Sequence, residues 1–382
     1  MSENNRPVVS FCIPVYNNAE AAVKIVQGLL VSDNQDFEVI VSDDASKDNA
    51  QELLSQIHDP RFKYYRNEKN LGAHQNWLHS LELGHGEWLY LVMARDQIHG
   101  ENIDRLIKIL KYAHENNIYY LKDGYKWTGE LEFNDIEVLT GIDSMINFLL
   151  VIHPSGDIFN REIFMAIPDK LFYLENHDMF SENYLRREML MKGKGAFCAS
   201  RVYVYTEPRL INFAKVKSGV EHDKNIFDAY YAPKRLIKQH IELINMVEKE
   251  LPEFFSESEL NKYFSAKFKE LLNFVSIVWF FRCKDYSWTA HYGHSTRRVT
   301  MIETMSNIFG ACSGMRTYLK EAGIYSRSKQ MIIYHQGATH LISAIYLLHF
   351  KETVKKWLKP IGVWRILRAI RYRSWEKSKS PE

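Results

Sequence analysis

The first hundred residues alternate short apolar runs with stretches of helical periodicity, and that order constrains the fold more than any other feature of the chain. Val8 to Ile13 is an apolar run, broken only by Ser10 and closed by Pro14, as a strand buried on both faces would be. Pro14-Val15-Tyr16-Asn17-Asn18 follows as a loop. Ala19 to Leu30 then sets Ala22, Val23, Val26, Leu29 and Leu30 along one helical face. Phe37 to Val41 reads as a second strand, stopped by Ser42-Asp43-Asp44-Ala45-Ser46-Lys47-Asp48, with a helix from Asn49 to Ile57 and a strand from Phe62 to Tyr65 after it. Asn70-Leu71-Gly72 signals a turn. A helix over Ala73 to Leu83 carries Trp77, Leu78 and Leu81, and Trp88 to Met93 is a buried strand that stops at Ala94-Arg95-Asp96. Strands alternating with helices predict a parallel, doubly wound α/β sheet. Right-handed crossovers put the strand ends on one edge, where open α/β sheets hold ligands. Tyr16, Asp43, Asp44 and Asp96 are then expected to share one crevice.

The chemistry of such a crevice is that of a nucleotide site. Carboxylates accept from the N–H and hydroxyl donors of a base and ribose. A diphosphate needs cationic partners, from a metal or from Arg and Lys. Asp43, Asp44 and Asp96 together suit a nucleotide bound through a divalent ion. GxGxxG and GxxxxGK[ST] are both missing, and the first strand–helix turn has no glycine, so no Gly-rich backbone cradles phosphate there.

Composition narrows the class. At 382 residues the chain is long enough for two domains, and a net charge of +2 does not mark a nucleic-acid binder. Its four cysteines, Cys12, Cys198, Cys283 and Cys312, form no CxxC, so neither a zinc site nor a disulfide framework is indicated and a reducing compartment fits. The amino terminus lacks the pattern of a signal peptide, and no apolar stretch is long and clean enough to span a bilayer. A cytoplasmic protein is expected, working at the inner face of the cell membrane.

Four blocks in order carry a resemblance: SFCIPVYNNAE, VIVSDDASKDN, NLGAHQN and GHGEWLYLVMARD. Together they resemble the signatures of family 2 glycosyltransferases of the GT-A fold, over about residues 7 to 200. The last two are similar to a subgroup of bacterial surface-polysaccharide sugar transferases. The resemblance implies a Rossmann-like, mostly parallel sheet with flanking helices. It implies that Pro14, Tyr16, Asp43 and Asp44 contact the base and ribose. Asp96 matches the last carboxylate of the family's metal motif, implying Mn²⁺ or Mg²⁺. Ala94 and Arg95 stand where relatives carry further carboxylates. An ion bound to a diphosphate can manage with one protein carboxylate, and Arg95 could neutralise the diphosphate directly or pair elsewhere.

Further on, Ile118 to Leu121 reads as a strand, Lys122 to Asp135 as a loop or hairpin, and Thr140 to Leu150 as a helix with Thr140 as cap. In His153 to Arg161 the resemblance places the acceptor side of the site, at Gly156 and Asp157. Gly156 would let a sugar approach the backbone closely, and a plain turn into a strand is the alternative. Inverting transfer needs a base for the acceptor hydroxyl, and a carboxylate near a helix start suits that task. Alignment on the family's Leu and Gly, here Leu185 and Gly193, puts Glu182 at that position. Asp178 one turn earlier is the second choice and Glu175 a third. Arg186 and Arg187 are near enough to pair with these carboxylates or with the diphosphate.

The expected division is a GT-A domain over 1–219 and an α-helical domain over 220–382. The second ends in a basic, Trp-bearing amphipathic tail, 351–379, of the kind that lies on anionic membranes. The combined expectation is an inverting glycosyltransferase. It moves a sugar from a nucleotide donor, UDP favoured, to a hydroxyl of a glycan or lipid-linked acceptor. Two rivals stand beside it. One is a non-catalytic nucleotide-sugar-binding partner of another transferase. The other is a nucleotidyltransferase, which would normally carry a Gly-rich basic first turn.

Overall fold

The computed structural model describes residues 6–93, 96–124, 136–149, 154–171, 182–204, 253–263 and 265–267. The chain divides into two compact units, Met1–Ala266 and Lys267–Glu382. The expected boundary at 219/220, most of the helical domain and the basic tail lie outside the described residues. Residues 257–263 are helical, and Tyr263 is buried in the first unit's core.

The elements follow the alternation in the sequence. They are β1 (Val9–Val15), α1 (Ala19–Leu30), β2 (Phe37–Asp43), α2 (Ala50–Ser55), β3 (Phe62–Arg66), α3 (Ala73–Glu82) and β4 (Trp88–Leu91). Then come β5 (Gln97–Ile98), α4 (Ile103–Glu115), β6 (Ile118–Asp123), β7 (Ile136–Leu139), α5 (Gly141–Phe148), β8 (Asp157–Asn160), α6 (Arg161–Ala166), α7 (Glu182–Lys192), β9 (Lys194–Cys198) and β10 (Tyr203–Val204). Eight strands form one sheet in the order β3-β2-β1-β4-β8-β6-β9-β7, and β10 pairs with β5 in a two-stranded ribbon.

Side-chain alternation along the central strands builds two cores, because successive residues of a strand point to opposite faces. Phe11, Ile13, Val39, Val41 and Tyr90 pack on one face with Ala22, Val26 and Leu29 of α1 and with Leu106, Ile107 and Leu110 of α4. Cys12, Leu89, Leu91, Tyr120 and Phe159 pack on the other with Trp77 and Leu81 of α3, Phe148 of α5 and Leu185 and Met189 of α7. Every residue of β2 is buried, so its run reads as apolar up to Ser42 except for Glu38, whose carboxylate accepts from Ser10 Oγ and Lys63 Nζ, each at 2.6 Å.

The expected parallel sheet holds for β3-β2-β1-β4. Beyond β4 it is mixed, since β8 runs antiparallel to both β4 and β6, and β7 antiparallel to β9. This reversal matters for the site. It brings the amino end of β8 to the edge where β4 and β6 have their carboxyl ends, and it sets Asp157 opposite Lys122. Two local readings also change. Lys122 and Asp123 complete β6 rather than opening a loop, and β1 continues through Pro14 to Val15. A proline is tolerated there because alternate residues of β1 serve its two neighbours. Cys12 O accepts from Val92 N–H, and Val15 O from Asp44 N–H. Pro14 falls on the β4 side, past the last paired residue Cys12, where no N–H donor is needed.

Candidate active site

At the carboxyl ends of β1 and β2 two loops are stitched together. Asn17 stands in a left-handed conformation at φ 50°. Its N–H donates to Ser46 Oγ at 2.9 Å and its side-chain oxygen accepts from Lys47 N–H at 2.7 Å. The Asp48 carboxylate accepts from Ala19 N–H at 3.0 Å, giving α1 its first-turn acceptor from a neighbouring loop. Tyr16 stays 38% exposed above this junction, while Pro14 is half-buried in β1.

Asp43 and Asp44 are both buried but differ in what they do. Asp43 accepts from Tyr64 Oη at 2.6 Å, from Arg66 Nη1 at 2.5 Å and from Ser46 N–H at 2.9 Å. Burial pushes its pKa up, but the bonds from Ser46 and Tyr64 and the Arg66 charge outweigh this and hold it below the usual range. Asp44 turns to the next loop. Its carboxylate accepts from Leu71 N–H at 2.7 Å, Gly72 N–H at 3.0 Å and Asn67 Nδ2 at 3.0 Å. Asn76 closes the same network, donating to Ser42 O at 3.0 Å and accepting from Ser42 Oγ at 2.7 Å. The N-x-G-x-x-x-N segment is thus a lock between α3 and the ends of β1 and β2.

Asp96 follows β4 on this same edge. Its carboxylate accepts from Met93 N–H at 2.8 Å, and its own N–H donates to Met93 O at 2.9 Å, so Asp96 is tied back to Met93 at the end of β4. Arg95 lies outside the described residues. Gly156 donates to Leu91 O at 3.0 Å and accepts from Asp123 N–H at 2.8 Å, which fastens the start of β8 between the ends of β4 and β6. It sits at φ +81°, and a Cβ there would lie 2.6 Å from Asp123 O.

The strongest electrostatic feature is a buried cluster between β6, β8 and the first turns of α7. Asp157, Lys122 and Arg186 have no solvent exposure. Lys122 Nζ donates to Asp157 Oδ1 at 2.9 Å and to Ser155 O at 2.7 Å, and Tyr120 Oη donates to the same Oδ1 at 2.8 Å. Arg186 Nε and Nη2 donate to Asp157 Oδ2 at 3.1 and 2.7 Å. Glu182, the first residue of α7, stands at the border of this cluster with its carboxylate 3.9 Å from Arg186 Nη2 and its side chain 12% exposed. Burial raises its pKa, and despite the opposing pull of Arg186 it is pushed up to about 7. A carboxylate that titrates near neutrality and keeps an opening to solvent can exchange a proton with a bound hydroxyl.

The structure therefore brings Tyr16, Asp43, Asp44, Asp96, Gly156 and Asp157 to one edge of the sheet, with Glu182 beside Arg186 and Asp157. Asp178 and Glu175 lie outside the described residues. Asp157 is committed to two cations instead of standing open. Arg187 pairs with Glu188 at 2.7 Å and lies 4.6 Å over the Tyr184 ring. Lys122 and Tyr120 were missed by the sequence reading. A lysine that extends an apolar strand run by one residue is the signal that could have flagged the first.

Comparison with known proteins agrees with this architecture. Residues 10–193 match the model of the family described as "Glycosyl transferase family 2". Abequosyltransferase RfbV of Salmonella typhimurium is 30% identical over 96 residues, 24% of this chain and 29% of RfbV. Glycosyltransferase GlyG of Streptococcus pneumoniae is 23% identical over 215 residues, 52% of this chain and 70% of GlyG. The first curated relatives are thus matched over less than a third of their own length. Among solved structures, S. aureus TarS 1–349 in complex with UDP-GlcNAc superposes with a TM-score of 0.52 at 14% identity, covering 88% of this chain and 92% of that one, and so shares the fold.

Proposed function

We propose, from the match of residues 10–193 to the family 2 glycosyltransferase model, that the chain moves a sugar from a nucleotide-sugar donor, UDP favoured, to a hydroxyl of a glycan or lipid-linked acceptor, with inversion. The observation that carries this is Glu182: a carboxylate poised near neutral pH at a helix start, on the sheet edge that gathers Asp44, Asp96 and Gly156. Support for the donor class comes from relatives, of which one is an abequosyltransferase and another was solved with UDP-GlcNAc. Surface-polysaccharide synthesis is the proposed setting.

In this reading Tyr16, Pro14 and the Asp43 loop border the base and ribose, and Gly156 borders the acceptor. Glu182 takes the proton of the acceptor hydroxyl. That oxygen bonds to the anomeric carbon, and the bond from this carbon to the diphosphate oxygen breaks with its electron pair on the leaving nucleotide. Asp178 is the reserve candidate for the base. Asp96 would hold a Mn²⁺ or Mg²⁺ ion, whose chemistry is to neutralise the leaving diphosphate. Among the described residues no three His, Cys, Asp or Glu gather as ligands, so such an ion would take its remaining partners from the donor's phosphates and water. Arg95 is proposed to share that neutralising role. The described residues hold no helix long and apolar enough to cross a membrane, and contact through 351–379 completes the proposal for a lipid-linked acceptor.

A thermal-shift screen of nucleotide sugars, with and without Mn²⁺, tests the reading, followed by donor turnover with and without EDTA. Stabilisation by one nucleotide class together with turnover supports it. Stabilisation with no turnover of any donor, whatever acceptor is supplied, favours the non-catalytic binding partner instead.

A further inference from the structure

Among the described residues, Arg186 has two carboxylates within reach and hydrogen-bonds one of them. Its Nε and Nη2 both donate to Asp157 Oδ2, at 3.1 and 2.7 Å, and its Nη1 donates to Asn183 Oδ1 at 3.1 Å. Glu182 is left at 3.9 Å, too far for a hydrogen bond and close enough to feel the charge. Asp157 is in turn pinned from its other oxygen by Lys122 and Tyr120, and Lys122 is pinned to Ser155 O.

We propose that Asp157 and Lys122 are positioning residues: together they hold the Arg186 guanidinium away from Glu182, so that the Glu182 carboxylate is not tied up by Arg186 and can accept from an acceptor hydroxyl while remaining in the field of both cations. This rests on the reading of Glu182 as the base. Asp157 acts as a competitor for Arg186, and Lys122 keeps that competitor aimed by holding its other oxygen.

The charges around Glu182 make the idea directional. Among the described residues, the charged groups acting on it are Arg186 from its own helix, Lys122 from β6 and Asp157 from β8. The other elements packed on α7 contribute Met145 and Phe148 of α5, Phe164 of α6 and Phe197 of β9 to the apolar core it shares. Asp143 of α5 is turned outward, paired with Lys262 at 2.6 Å. Removing Lys122 takes away a cation and must make Glu182 harder to ionise. Removing Asp157 takes away an anion and also releases Arg186 toward Glu182, which must make it easier to ionise.

The test is the pH dependence of kcat/KM for sugar transfer by the full chain. Lys122→Met should move the acid limb up by about one pH unit, and Asp157→Asn should move it down by about one. The double variant Asp157→Asn/Lys122→Met removes the pair together and should also move the limb down. Tyr120→Phe takes one donor from Asp157 without uncovering a charge, so it keeps the proposal testable if the charge variants do not fold. Its limb should rise by a few tenths of a unit. Folded variants that lose activity with the limb fixed at its wild-type position, or an unmoved limb in Tyr120→Phe when the others are unfolded, overturn the proposal. Glu182→Gln separates the two levels. If it keeps wild-type activity, the reading of the base fails. If it is inactive and the limb does not respond to the other variants, only the positioning role fails.

Discussion

The Asp44 carboxylate accepts the backbone N–H of Gly72 at 3.0 Å, and through this bond and its partner from Leu71 the end of β2 holds the entry to α3. Asp44 is 1% exposed, so its first task is to build the loop that borders the proposed donor site. Asp44→Ala leaves two backbone N–H groups and Asn67 without their acceptor in a part-buried place. Losses on the order of 2–3 kcal/mol in unfolding free energy are expected, since bonds to a charged acceptor are the stronger kind. Urea unfolding checks this, and weaker nucleotide binding should accompany it.

Two glycines with positive φ offer a contrast. Gly72, at φ +89° and ψ 160°, has a backbone conformation essentially reserved for glycine but faces open space, so Gly72→Ala should cost the backbone strain alone, about 1–3 kcal/mol. Gly156, at φ +81°, would press a Cβ against Asp123 O at 2.6 Å and Tyr203 Cδ1 at 3.2 Å. Gly156→Ala should therefore cost about 3 kcal/mol or more and spread the ends of β4, β6 and β8. Equal losses for the two variants would show that the packing around Gly156 is looser than described.

Glu182 also predicts a pH dependence of stability. Its folded pKa of about 7 lies above the ordinary 4.5, so between these values the folded protein keeps a proton that the unfolded chain has released. Stability from this group is therefore greatest at low pH, declines as pH rises from about 4.5 to about 7, and is flat above. Glu182→Gln abolishes the decline. Relative to wild type it should gain on the order of 2–3 kcal/mol between pH 4.5 and pH 8, read from denaturant curves at several pH values. Parallel pH curves for the two proteins would mean that Glu182 titrates normally.

How much of this was readable beforehand depends on the range of the interaction. β1 to β4 and their helices were legible because each is specified by its own apolar period, punctuated by Pro14, Gly72 and Gly84. The direction of β8 was not, because four residues, Asp157 to Asn160, fit either sense of pairing. The role of Lys122 was hidden for the same reason. Its partner Asp157 lies 35 residues away across an antiparallel pair, and an isolated lysine after Leu121 reads as the edge of a loop. Asp43 and Asp44 were legible as a pair of carboxylates at a strand end, but which of them faces Arg66 and which braces the 67–72 loop is decided by backbone geometry. Glu182 came from resemblance alone, and what the structure adds is the burial that makes it basic.

The most direct measurement is sugar transfer by Glu182→Gln with nucleotide-sugar affinity determined alongside. The account predicts a fall in kcat of about 10²- to 10⁴-fold, the usual contribution of a general base, with donor affinity within about threefold of wild type. Transfer at close to the wild-type rate by this variant would contradict it.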